Sequence, residues 1–467
     1  MAKDTLQVKN GITEGVIWKQ ILAFFFPILF GTLFQTLYNT VDAIIVGQAL
    51  GKQALAAVGG GTGTMINLII GFFTGLSSGA TVVISQFYGA KDHEKAGKAV
   101  HTAIMLALVG GIIISILGYI FTRPLLILID TPADIMDMAE TYLHIYFLGA
   151  LSIVMYNMCA GIFRALGDSR NPLYFLIIGS LVNIVLDILF IMGFKMGVEG
   201  AAYATVISQV VSAVISLIWL RKREDACGLK LKSLRFDIQI LKRMMAIGLP
   251  AGIQSIMYNI SNMIIQTRVN SFGTDTAAAW AAYGKLDAIF WMMVNAFGIS
   301  ITTFVGQNFG AGKIDRARKG VKSVFAMTLV SSLLLEVVYV FFGRYGYHIF
   351  VTDKEVIDIG MHIMLTIAPF YFTYISIELL SGAIRGAGKS LVPTLFTVVG
   401  ICGMRILWLS VPALCATVEL VMVCYPVSWT LVSILFLVYY NVGNIYGDKK
   451  PRKLDMLKKS MSDSYQK

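Results

Sequence analysis

A chain of 467 residues with 57% apolar and only 14% charged side chains, and a mean hydropathy of +0.73, lacks the polar surface that a soluble protein of this size needs. Its five cysteines are odd in number and without C-x-x-C spacing, which argues against a disulfide framework or a zinc site. The net charge of +11 has a topological source, set out below, so nucleic-acid binding is not needed to explain it.

A membrane-spanning helix takes about 20 mainly apolar residues. Twelve such stretches follow one another, at 16–46, 54–84, 99–121, 136–163, 173–194, 199–219, 242–271, 276–306, 322–342, 357–384, 392–412 and 418–440. Their apolar runs are continuous rather than alternating, which predicts helices and not barrel strands. The first span carries Pro27 and, in FQTLYNTVDAIIVG, Asp42, with Tyr38 and Gln35 one and two turns before it on the same face. In the second, Gly71, Gly75 and Gly79 share a face and predict a close helix-packing seam. The fifth holds Asn183 and Asp187 four residues apart, and the sixth holds Thr205 in AAYATVISQ. Between the sixth and seventh lies RKREDACGLKLKSLRFD, the longest polar run between spans. The eighth span contains Lys285 and Asp287, the tenth Glu378 and the eleventh Arg405.

Lysine and arginine set the orientation. With the N-terminus cytoplasmic, cytoplasmic segments hold 30 of the 38 basic residues and outer loops only 5. In that count Lys19, Lys242, Arg243 and Lys322, at the cytoplasmic ends of their spans, go with the cytoplasmic segments, Arg164 and Arg385 belong to cytoplasmic loops, and Arg268, Lys285 and Arg405 remain inside spans. Both termini are therefore expected in the cytoplasm.

The chain also repeats itself. SQFYGAKDHEKAGKAVH and GQNFGAGKIDRARKGVK align at an offset of 221, pairing Gln86 with Gln307 and Gly89 with Gly310. GIFRALGDSRNP and GAIRGAGKSLVP share that offset, pairing Arg164 with Arg385 and Pro172 with Pro393. Pro27 and Pro250 open the two copies. The expected architecture is an all-α integral membrane protein of two six-helix lobes. These are an N-lobe at 1–220, a cytoplasmic linker at 221–241 and a C-lobe at 242–467 ending in a basic tail. Six is even, so both copies enter from the same side, and a pseudo-twofold axis along the membrane normal relates them.

An ionisable residue at membrane depth costs about 2.5–3.5 kcal/mol on insertion scales and is a functional candidate by default. Asp42, Asp187, Asn183 and Thr205 supply hard oxygen donors, suited to Na⁺ or to a proton shared by two acids. The alternative is that each aspartate is satisfied separately, or that Asp42 lies near a wet helix end. In the second half, Lys285, Asp287, Glu378 and Arg405 form a candidate polar network, either functional or a structural ion cluster. No Ser-His-Asp grouping or metal spacing of histidines points to an enzyme.

Seven motifs, in order, now resemble the multidrug and toxic-compound extrusion (MATE) family over nearly the whole chain. They are Pro27 to Asp42, QFYGA at 86–90, RALGD at 164–168, Asn183 to Asp187, GLPAGIQ at 248–254, GQNFGAG at 306–312 and RGAGKS at 385–390. The resemblance implies two lobes around a central cavity and Na⁺ or H⁺ antiport driving export of organic cations, with no cofactor. It implies a multi-pass protein of the bacterial inner membrane, expected as a monomer. In the branch with a first-lobe ion site, that site matches Asp42, Asn183, Asp187 and Thr205. Gln35, Tyr38, Tyr142 and Asn157 match positions similar to its cavity lining, and Pro27 matches the bend of the first helix. Another branch has acids where this chain has Tyr258 and Tyr374. A lipid-linked oligosaccharide flippase of the same superfamily is the alternative. It requires several cationic cavity residues, for which only Arg268, Lys285 and Arg405 stand inside spans. A channel is the reading from a different class.

Overall fold

Local chemistry sets where the helices begin. Asp237 accepts backbone N–H bonds from Gln239 and Ile240, both at 3.1 Å, and Asp92 accepts one from Lys95 at 3.1 Å. Each such N-cap contributes about 1 kcal/mol. The structure, a computed structural model, describes residues 12–447, so the first expected residues of the N-lobe and the basic tail lie outside the described residues. Among the described residues the regular structure is helical throughout.

Twelve long helical units follow the expected order. They are α1 (Ile17–Leu50), α2 (Lys52–Gly89), α3 (His93–Leu128) and α4 (Met136–Leu148 and Ala150–Ala165). Then come α5 (Arg170–Gly193), α6 (Val198–Arg221), α7 (Ile238–Asn270) and α8 (Thr274–Gly310). Last are α9 (Ile314–His348), α10 (Lys354–Gly386), α11 (Leu391–Leu409) and α12 (Val418–Val442). Several outrun the apolar stretches that announce them. The 36 residues of α3 extend roughly 54 Å, against roughly 30 Å of hydrocarbon. The two pieces of α4 meet at 50° across Gly149.

Eleven of the twelve are apolar and long enough to cross a membrane when the bent α4 is counted as one. The exception is α7, which is 33 residues long but too polar by composition. Gln254, Ser255, Asn259 and Asn262 supply that polarity, and all four line a central cavity rather than meeting lipid.

The glycine face of α2 forms the seam expected of it. A Cβ on Gly75 would sit 2.5 Å from the Gly252 nitrogen, and one on Gly248 would sit 2.5 Å from the Leu76 oxygen. Glycine thus faces glycine across the two halves, and α2 and α7 pack backbone to backbone.

Two buried cores result. One gathers residues from Val46 to Ile247, the other residues from Ile265 to Tyr446. The first helix of each half crosses over. Ile21, Phe24, Phe25 and Ile28 of α1 join the second core, where Phe25 stacks on Phe297 at 3.9 Å between centroids. Ile240, Met244 and Ile247 of α7 join the first core. The helix of α1 continues through Pro27.

At the end of the bundle that carries the linker, the two repeat motifs lock onto each other. Gln86 Nε2 donates to the Gly386 carbonyl at 2.9 Å, and Gln307 Nε2 donates to the Ala165 carbonyl at 2.8 Å. Both partners are related by the 221-residue offset. Gln307 is fully buried, and Arg243 donates to Gln86 Oε1 at 3.1 Å.

Candidate functional site

Two polar regions lie at membrane depth, one in each half. In the first, the carboxyl groups of Asp42 on α1 and Asp187 on α5 lie side by side. Asp187 is 0% exposed, and neither of its carboxyl oxygens has a hydrogen-bond partner in the protein. Asp42 Oδ1 and both polar atoms of the buried Asn183 are likewise without partners. Burying carboxylate oxygens without donors is costly, and two adjacent carboxylates repel each other. A proton or a cation between them removes both costs.

Around this pair stand the residues matched by resemblance. Tyr38 lies beside Asp42, with Gln35 and Gln209 next to its hydroxyl. The Tyr142 hydroxyl lies beside Thr205 and near Asp42. Gln209, one turn after Thr205 on α6, is a further residue of this group that sequence reasoning missed. Asn157 is placed differently: its amide donates to the Ile153 carbonyl at 2.8 Å, and it borders a small apolar crevice with Phe73 and Tyr146. A six-residue π-helical turn, Ile188–Gly193, directly follows Asp187. Such turns are frequent at functional sites.

In the second half the expected network separates into parts. Lys285 is exposed and stands apart from the other three. Asp287 is held by hydroxyl and indole donors: Tyr371 donates to Oδ1, and Trp291 Nε1 donates to Oδ2 at 2.6 Å. Glu378 accepts from the Tyr374 hydroxyl at 3.3 Å. Arg405, 1% exposed, donates through Nη1 to Asn262 Oδ1 at 3.2 Å and lies 4.1 Å over the Tyr425 ring. Among the described residues no ion pair joins any two of the four. Aromatic hydroxyl and indole donors meet the two acids, Asp287 and Glu378, where charge pairing was expected.

Glu378 and Arg405 do share a cavity of about 590 Å³ between the halves. Its walls come from α2, α7, α8 and α10, with Tyr258, Trp291, Tyr374 and Tyr425 as aromatic surfaces. Arg164 and Arg385 also line it. Both were assigned to loops from sequence, but they stand in the last turns of α4 and α10, inside the helices. The available signal was the repeat itself: residues paired by the offset of a twofold repeat and placed close to its axis face the same space. The cavity therefore meets three arginines and one carboxylate among the described residues.

Comparison with known proteins fits this architecture. The MatE family model matches residues 27–189 and again 250–409, one copy in each half. The Bacillus subtilis chain named "Probable multidrug resistance protein YoeA" is 27% identical over 434 residues, covering 91% of this chain and 93% of that one. The "FAD transporter" of Shewanella oneidensis is 24% identical, covering 87% of this chain and 90% of that one. A solved outward-facing MATE multidrug resistance transporter of the MOP superfamily superposes with a TM-score of 0.86 at 23% identity, covering 94% of this chain and 98% of that chain. The protein is thus not an enzyme but a multi-pass membrane transporter, and the chain belongs to the MATE family.

Proposed function

We propose that the protein is a Na⁺- or H⁺-coupled antiporter that exports small organic solutes by alternating access. The observation that carries this reading is the buried Asp42–Asp187 pair with its unsatisfied oxygens and the unsatisfied amide of Asn183. A cation or proton entering there would be held by Asp42, Asn183, Asp187 and Thr205. Neutralising the pair on α1 and α5 changes how α1 packs, and α1 is the helix whose start is anchored in the opposite core. Pro27, which leaves one backbone carbonyl of α1 without its usual N–H partner, is the natural place for that helix to bend.

The lobes in this reading are residues 1–220 and 242–467, joined by the linker at 221–241. The linker end is cytoplasmic in this reading, which the lysine and arginine count supports, and the membrane is the bacterial inner membrane. The reciprocal bonds of Gln86 and Gln307 then close the cytoplasmic side, and opening that side requires breaking both. The working unit is a monomer that carries small molecules. Organic cations are the class implied by the resemblance. Three arginines against one carboxylate make the cavity a poor principal site for a cation.

The test is efflux from proteoliposomes under separately imposed Na⁺ and pH gradients, with a panel of fluorescent solutes of both charge signs. Stimulation by at least one gradient is expected. If neither gradient accelerates efflux of any solute, the coupled-antiporter reading fails.

A further inference from the structure

Arg405 is buried to 1% exposure at membrane depth, and its Nε and Nη2 have no hydrogen-bond partner. One amide oxygen, from Asn262, and the rings of Tyr425 and Tyr258, at 4.1 and 5.9 Å, offset its charge, and among the described residues no carboxylate pairs with it. An uncompensated buried guanidinium is expensive, and the Arg405 side chain forms part of a cavity wall. Two further arginines meet the same cavity from opposite halves. Arg164 and Arg385 are paired by the repeat offset, and each has a buried Nε without a partner. Among the described residues that line the cavity, Glu378 is the one carboxylate opposing them, and it is already engaged by Tyr374.

We propose that the cavity binds a solute bearing a carboxylate or phosphate group on a flat ring, with Arg405 as the anchoring cation. The planar guanidinium presents paired donors that match two oxygens of either anion. Arg164 and Arg385 flank the anion near the pseudo-twofold axis. Trp291, Tyr258 and Tyr374 supply the aromatic faces on which the ring stacks. The volume of about 590 Å³ falls within the usual span of small-molecule sites, about 300–1,000 Å³. This inference deepens the export reading by naming its substrate class, and it rests on the same central cavity.

Binding is measured on the purified full chain in detergent at fixed ionic strength and with no ion gradient, so a failure of coupling leaves it readable. The probes are carboxyfluorescein, 4-methylumbelliferyl phosphate and the cation ethidium. Saturable binding of at least one anion is expected, stronger than that of ethidium. Arg405→Gln should weaken anion binding at least about tenfold, the scale of losing hydrogen bonds to a charged group. Arg405→Lys should fall between the two. Arg164→Gln and Arg385→Gln alter side chains that are only half-buried, so they keep the test open if Arg405→Gln elutes as aggregate. Each should weaken the anion several-fold and leave ethidium unchanged. Tighter binding of ethidium than of either anion overturns the proposal, as does undiminished anion binding in all three glutamine variants. Displacement of the probes by phosphatidylglycerol at equal mole fraction assigns the arginines to a lipid headgroup, and it overturns the solute assignment.

Discussion

The two halves share a fold and differ in charge. On α5 a π-helical turn directly follows Asp187; on α11, its repeat partner, a π-helical turn at Val398–Gly403 ends two residues before Arg405. Both side chains are buried, at 0% and 1% exposure. The two turns do not fall at positions related by the 221-residue offset, but each of the two helices pairs a π-helical turn with a buried charged side chain, an acid in one half and a base in the other. A duplicated scaffold can divide its labour in this way. In the reading proposed above, one copy would hold the coupling cation against two carboxylates, and the cavity between the halves would receive the solute against Arg164 of the first half and Arg385 and Arg405 of the second.

The largest effect is expected where the acidic half is neutralised. Asp187→Asn should reduce gradient-driven efflux to the level of empty liposomes while the protein still elutes as a monodisperse peak. Retained efflux in that variant would break the division of labour at once. Next comes the seam that joins the halves. Gly75→Leu places a side chain where a Cβ alone would lie 2.6 Å from the Ala251 carbonyl carbon. It should cost at least about 1–3 kcal/mol of stability, read as a lower thermal transition in detergent. An unchanged transition would mean that α2 and α7 are not held backbone to backbone.

A smaller effect tests the reciprocal closure. Gln307→Ala leaves the Ala165 carbonyl unsatisfied, and Gln86→Ala does the same to Gly386. Each should shift the equilibrium away from the closed linker end by about 1–3 kcal/mol, measurable as longer spin-label distances across that end. Similar shifts from the two variants would confirm that the halves contribute alike to closure although they differ in charge. The smallest effect is expected at Lys285, which stands exposed and apart from the other charges. Lys285→Gln should change the thermal transition by no more than about 0.5 kcal/mol and leave efflux unaltered.

Much of this contrast was legible in the sequence. Continuous apolar runs, the 30-to-5 asymmetry of basic residues and the 221-residue repeat together required twelve helices in two related halves. Asp42, Asn183 and Asp187 stood out because polar residues at helical spacing in an apolar span have few reasons to be there. The second half was harder to read, for two physical reasons. Asp287 and Glu378 are satisfied by tyrosine and tryptophan donors, and composition does not distinguish a tyrosine that donates to an acid from one that packs against lipid. Arg164 and Arg385 sit near the ends of their helices, where a window of hydropathy merges them with the loops. The exchange of α1 and α7 between cores also leaves no local sequence mark, because it depends on which surface each apolar face finds.

The most direct test of the central claim is to count cations bound by the purified protein. Na⁺ binding by calorimetry and proton uptake in a weakly buffered pH jump would be compared between the natural chain and Asp187→Asn. The account predicts saturable binding of Na⁺, or uptake of a proton, that the variant loses. Identical binding in the two proteins would contradict it, because the coupling cation would then be held somewhere other than the buried Asp42–Asp187 pair.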